Sequence, residues 1–212
     1  MIKLILNNLW SIPFHYSEIK NTANLSKQLI KVIEQLDNAF NPRKSIQIAG
    51  LTEELTTKRH SYNFPDIENK SNTTQKKIIK KEVSTYLKKL NNKNSLLLYQ
   101  SWANRLQDAA VLKRHSHAGP YIYFSAVYFV KTKKTATIYH LPLDTRIPGE
   151  EDFCESKVEI INKEGGLVIF PSFIEHNSTP TIKNEEQITI AFDILFTPPK
   201  DKFHNNFEEI AI

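Results

Sequence analysis

Two histidines one residue apart, His115 and His117, are followed far downstream by a third, His176. The pair lies in Lys113-Arg114-His115-Ser116-His117, and the third closes Phe170-Pro171-Ser172-Phe173-Ile174-Glu175-His176. Imidazole is the commonest metal ligand, because its neutral form is abundant at physiological pH. Residues two apart on a strand face the same side, so His115 and His117 can aim both rings at one point. His176 follows the apolar run 166–170. If that run packs opposite the pair, three nitrogens converge on one ion and leave positions open for a substrate and dioxygen. That is the arrangement of a mononuclear metal enzyme. His15, His60 and His204 read as hydrogen-bonded structural residues, and His140 as a strand residue with a weaker claim to a ligand role.

The elements that must position these residues change character along the chain. Leu25, Leu29, Val32, Ile33 and Leu36 form one helical stripe over 24–36, with Thr22 or Asn24 available as a cap. A second helix over 73–91 sets Ile79, Val83, Tyr86, Leu87 and Leu90 against a lysine-rich face. Before and between them, 2–6, 12–16 and 46–48 read as short extended segments. From residue 95 the period changes, and 157–161 alternates cleanly with Val158 and Ile160 on one face. Strands are expected at 96–102, 121–130, 135–140, 157–161, 167–170 and 187–196. Frequent strands separated by turns specify a β-sandwich or jelly roll, with the helices on its outer face. The chain is read as a single domain over 1–212. Residues 1–94 form a helical and irregular support region, 95–197 the jelly-roll core, and 198–212 a loosely attached tail that Phe203 and Phe207 could anchor.

Composition narrows the function classes. The net charge is +5, and much of the excess lies in the second helix, between Lys70 and Lys93. The apolar stripe on that helix makes the lysines its wet face, so a nucleic-acid role is set aside. No apolar run approaches the ~20 residues that span a bilayer. The apolar start has no small-residue cleavage site and is not read as a signal peptide. The single Cys154 excludes an internal disulfide and fits a reducing compartment, so the expected location is cytoplasmic.

Several segments, in order, resemble the iron(II)/2-oxoglutarate oxygenase superfamily, and more narrowly a bacterial and phage branch of it. They are Ser101-Trp102-Ala103-Asn104, His115-x-His117, Ser125-Ala126-Val127-Tyr128-Phe129, Gly165-Gly166-Leu167-Val168-Ile169-Phe170-Pro171-Ser172 leading to His176, and Gln187-Ile188-Thr189-Ile190-Ala191-Phe192-Asp193. The resemblance covers about 96–197. It implies a double-stranded β-helix, a mainly β jelly roll of cupin-like shape with flanking helices. It also implies iron(II) held by His115, His117 and His176, with 2-oxoglutarate as cosubstrate. A hydroxylase-type dioxygenase would follow, and related enzymes often form homodimers. A cupin also pairs His-x-His with a later histidine. Phe173 and the absence of a glutamate near Tyr121-Ile122 separate this chain from that pattern.

Two departures from the superfamily pattern stand out. His117 occupies a position that usually carries Asp or Glu, which leaves the site one charge more positive; Asp108 is a conceivable substitute. Gln187 occupies the position of an arginine that usually binds the far carboxylate of 2-oxoglutarate, and an amide supplies neither the charge nor the bidentate fork. Lys131 is the replacement cation to consider, ahead of Arg146 and Lys183. Gln187, Tyr128, Asn104 and Lys131 are therefore the expected cosubstrate-binding residues, with Tyr99 as a further wall residue. Asn177, expected to orient His176, and Ser125 and Tyr123 form the supporting shell. Residues 123 and 125 share one strand face and 128 the other, so only one set can reach the cavity. The alternative reading is a metal-binding jelly roll that does not use 2-oxoglutarate, catalytic or not. The identity of the primary substrate is not encoded in any segment singled out above.

Overall fold

The computed structural model describes residues 12–39, 54–56, 70–90, 96–119, 122–144, 155–196 and 208–210. In chain order the elements are β1 (His15–Glu18), α1 (Ala23–Ala39), β2 (Glu54–Thr56), α2 (Lys70–Lys89), β3 (Leu96–Gln107), β4 (Ile122–Lys131), β5 (Ala136–Asp144), β6 (Glu155–Ile161), β7 (Gly166–Pro171), β8 (Glu175–Ser178), β9 (Glu186–Phe196) and β10 (Glu208–Ile210). The segments 2–6 and 46–48, and His60, Arg146, Cys154, Phe203, His204, Phe207 and the Leu36 and Tyr99 side chains, lie outside this description. Among the described residues no helix is long and apolar enough to cross a membrane.

The strands form two antiparallel sheets. The larger runs β1-β7-β4-β9-β3-β10, with β2 also paired to β3, and the smaller runs β6-β5-β8. The long central strand β4 follows from its β-branched and aromatic run, and β9 from its alternating Ile188, Ile190, Phe192 and Ile194. Each of their faces is buried, but against a different partner. Ala126, Tyr128 and Val130 of β4 and Ile188, Ile190, Phe192 and Ile194 of β9 pack under the helices, against Leu25, Leu29, Ile33, Ile79, Val83, Tyr86 and Leu87. The opposite face presents Val127 and Phe129, which meet Tyr139, Val168, Phe170 and Ile174 between the sheets. Each such side chain contributes about 1.5–3 kcal/mol by leaving water. The helices thus sit outside the sandwich, as their stripes specify. Leu90 is the exception, 37% exposed beyond the end of α2.

The turn joining β6 to β7 depends on Gly165. Its φ is +79°, and a Cβ there would lie 2.6 Å from Thr22 Oγ1. Only glycine accepts both the left-handed backbone and the close approach of the α1 cap. Two features go beyond the sequence expectation. Glu208–Ile210, in the stretch read as a loosely attached tail, pairs with Leu96–Leu98. His115 and His117 do not lie on a regular strand. They sit in an extended segment after β3, where His115 forms an isolated bridge with His176.

Candidate metal centre

That segment is held against β8 by backbone hydrogen bonds. Ser178 N donates to Leu112 O at 3.1 Å, His115 N to His176 O at 3.1 Å, and His176 N to His115 O at 2.8 Å. His117 N donates to Ser172 O at 3.0 Å, which ties the second histidine to the turn after β7. The turn that starts the segment uses Asp108 and Ala109 at positive φ. Same-side presentation of the pair therefore survives without a ladder, because the backbone is extended and anchored at both histidines.

The ligand atoms of His115, His117 and His176 all lie within 4.8 Å of one another. Each ring is oriented through Nδ1. His117 Nδ1 meets Asp193 Oδ1 at 2.8 Å, His115 Nδ1 meets Lys113 O at 2.6 Å, and His176 Nδ1 meets Ile174 O at 3.3 Å. Carbonyl and carboxylate oxygens only accept, so Nδ1 carries the proton in each ring and Nε2 keeps its lone pair. Three like tautomers facing one point are what a metal ion requires, and the oxygens behind them are the usual partners of metal-bound imidazoles. Burial, reinforced by the charges of His115 and His117, holds the His176 pKa well below the usual histidine value. His176 therefore disfavours a proton and keeps a free lone pair for an ion. The residues fit a divalent cation.

The His117 ring is framed by Trp102, whose ring centroid lies 5.2 Å away. His176 lies against Phe170 at 5.0 Å and Tyr139 at 5.8 Å. These large apolar rings fix the imidazoles and exclude water from behind them.

A cavity of about 420 Å³, counted to its open mouth, lies at the three histidines. Its walls include Asn104, Val127, Phe129, Gln187 and Thr189. Asn104 and Gln187, named as candidate cosubstrate-binding residues, thus both line the cavity, and both are buried. Ser125 lies behind the cluster. It is fully buried and donates to Asp193 Oδ1 at 3.3 Å, supporting His117 from behind.

Four expectations are corrected. Tyr128 faces the helices, because Val127 and Phe129 on either side of it take the cavity face. Lys131 donates to Glu186 at 2.8 Å and is not among the cavity-lining residues. Tyr123 is 50% exposed, displaced by the irregularity in β4 between Ile122 and Phe124. Asn177 meets His140 Nε2 at 2.6 Å instead of orienting His176, since neighbours on β8 face opposite sides. His15 meets Glu82 at 3.4 Å, so it and His140 have structural partners. Asp108 accepts a bond from Asn184 N on the surface, and Lys183 is exposed.

Asp193 is the functional residue that the sequence reading left without a role. A signal existed: along β9 one face is Ile188, Ile190, Phe192 and Ile194, while the other is Gln187, Thr189, Ala191 and Asp193. A buried strand with one polar face marks a site.

Comparison with known proteins agrees with this geometry. Residues 100–193 match a family described as "Putative 2OG-Fe(II) oxygenase". No curated protein sequence matches the chain. A prolyl-4-hydroxylase from Pseudomonas putida is similar in structure, with a TM-score of 0.59, 11% identity, and coverage of 89% of this chain and 95% of that one. The non-heme alpha ketoglutarate dependent carbocyclase SnoK from nogalamycin biosynthesis has a TM-score of 0.61 and 8% identity, covering 93% and 92%. HygX from Streptomyces hygroscopicus, solved with nickel and 2-oxoglutarate bound, has a TM-score of 0.56 and 11% identity, covering 88% and 83%. At these identities the likeness carries the fold, and the fold is the expected jelly roll.

Proposed function

We propose an activity for this chain from one premise: its core, residues 100–193, belongs to the 2OG-Fe(II) oxygenase superfamily. The chain is an iron(II)-dependent oxygenase of hydroxylase type that takes a 2-oxo acid of the 2-oxoglutarate class as cosubstrate. The observation that carries this reading is the convergence of three Nε2 lone pairs, each fixed by an oxygen behind its ring.

His115, His117 and His176 would hold the ion. When bound, iron(II) supplies dioxygen chemistry, coupling decarboxylation of the oxo acid to oxygenation of a substrate. The protein's share is positional. Asp193 and the two carbonyls fix the Nδ1–H tautomer of each imidazole and keep Nε2 aimed at the ion. Trp102, Phe170 and Tyr139 keep the back of the centre dry, and Asn104, Thr189 and Gln187 offer hydrogen bonds to whatever occupies the cavity. Three neutral ligands leave the full charge of a divalent ion to be met by an anionic chelating ligand and, through His117, by Asp193.

A second reading rests on a specific observation: no Lys or Arg is among the cavity-lining residues described. On that reading the chain is a metal-binding jelly roll that does without 2-oxoglutarate. One experiment separates the two. Anaerobic titration of the iron(II)-loaded protein with 2-oxo acids should produce the visible charge-transfer band of a chelated keto acid. Absence of both the band and any turnover of the oxo acid, with stoichiometric iron bound, would leave only the second reading.

A further inference from the structure

We infer that the ligand group meeting Gln187 is an uncharged hydrogen-bonding group, a primary carboxamide above all, and not a carboxylate. The inference rests on the reading that a 2-oxo acid enters this cavity, and it adds which end-group that acid carries.

Gln187 is 4% exposed and lines the cavity that holds the three histidines. Its Oε1 is buried and has no hydrogen-bond partner in the structure. A buried acceptor without a donor is costly and rare in a folded protein, so a donor in the cavity is the expected complement. The other polar walls, Asn104, Thr137, Ser178 and Thr189, are neutral as well. The nearest cations by sequence are committed elsewhere: Arg105 and Lys131 both pair with Glu186.

A second carboxylate in this cavity would have no countercharge among the described walls. Burying an unpaired charge is disfavoured far more than burying a paired one. A carboxylate could accept from the Gln187 Nε2, but its other oxygen would meet Oε1, acceptor against acceptor. A primary carboxamide resolves both problems. It donates to Oε1 and accepts from Nε2 in one reciprocal pair. Turning the glutamine amide over swaps the two bonds without changing the match. At the metal end a single carboxylate and a keto oxygen suffice. The cavity is therefore matched to a monoanion: an oxo-acid head at the histidines and a carboxamide tail at Gln187.

The test uses the full chain loaded with cobalt(II) and two unreactive mimics of the oxo acid. N-oxalylglycine ends in a carboxylate, and N-oxalylglycinamide is the same molecule ending in a carboxamide. Calorimetry gives both dissociation constants, and the cobalt spectrum reports whether each mimic reaches the metal. The amide should bind tighter by about tenfold or more, the scale of one good hydrogen bond exchanged for a repulsive contact. In Gln187→Arg the order should invert. Should that variant not fold, the near-isosteric Gln187→Glu keeps the test: it should still bind the amide and repel the dicarboxylate. Equal or tighter binding of N-oxalylglycine by the native chain overturns the inference and leaves the oxygenase reading standing. Failure of both mimics to perturb the cobalt spectrum overturns the oxo-acid reading, and this inference with it.

Discussion

His117 Nδ1 and Asp193 Oδ1 meet at 2.8 Å, with 4% and 1% of their side chains exposed. His117 stands where the superfamily pattern would place a carboxylate on the metal. Here the carboxylate is one imidazole further out, and Ser125 holds it from the other side at 3.3 Å. An anion behind a ligand histidine fixes its tautomer and raises its basicity. Asp193→Asn keeps the shape and removes the charge. Metal affinity should fall by about 10–100-fold, the usual cost of losing such a partner. Competition against a chromophoric chelator measures it, and an unchanged affinity would show that Asp193 is only a packing residue.

The same relationship predicts what happens when the usual carboxylate is restored. His117→Asp removes the Nδ1 donor and sets a second carboxylate beside Asp193 in a buried place, where like charges disfavour one another. Metal binding should weaken by about tenfold or more even though the ligand set becomes the common one. Combining His117→Asp with Asp193→Asn relieves the repulsion and should recover part of the loss. Stronger binding by His117→Asp alone would contradict this account.

The fate of individual residues shows how far sequence reasoning reaches. Runs of β-branched, aromatic and apolar residues located β4, β7 and β9, and the 3.6-residue stripe located α1 and α2, because each reflects burial by neighbours in bulk. Glu175–Ser178 carries no such pattern. It is a strand because β5 and the segment at 115 pair with it, and both pairings join residues far apart in the chain, His140 with Glu175 and His115 with His176. The three histidines were legible as a cluster since chemistry singles them out. Tyr128 was not separable from Tyr123 and Ser125 until the side of β4 facing the cavity was known. Lys131 was lost to Glu186, a partner 55 residues away that no local spacing announces.

The lysine helix offers a stability test with opposite outcomes on its two faces. Leu87 is fully buried beneath the sheet, whereas Lys77 and Lys81 are exposed. Leu87→Ala should cost about 2–5 kcal/mol through lost burial and a residual cavity. Lys77→Ala and Lys81→Ala should each stay within about 0.5 kcal/mol. Denaturant midpoints measure all three. The same lysine variants should leave retention on duplex DNA at low salt unchanged, and a steep salt-dependent retention by the native chain would restore the nucleic-acid role set aside above.

Glu186 sets the acid limit of the edge where β3, β4 and β9 meet. It accepts bonds from Lys131 at 2.8 Å and Gln107 at 2.7 Å, and it pairs with Arg105. Burial alone would raise its pKa, but the bonds from Lys131, Gln107 and Arg105 outweigh burial and hold it below the usual 4.5. A carboxylate with a depressed folded pKa binds fewer protons folded than unfolded, so its contribution is complete above the unfolded value. That contribution fades as pH falls through the lower folded value. Glu186→Gln should therefore destabilise the protein by about 1–2 kcal/mol at pH 7, where charged hydrogen bonds give way to neutral ones. The gap between variant and native chain should close as the pH drops below 4.5, a trend that urea midpoints at a series of pH values would trace. A gap that stays constant across that range would mean the loss is steric, with no part for the ionised carboxylate.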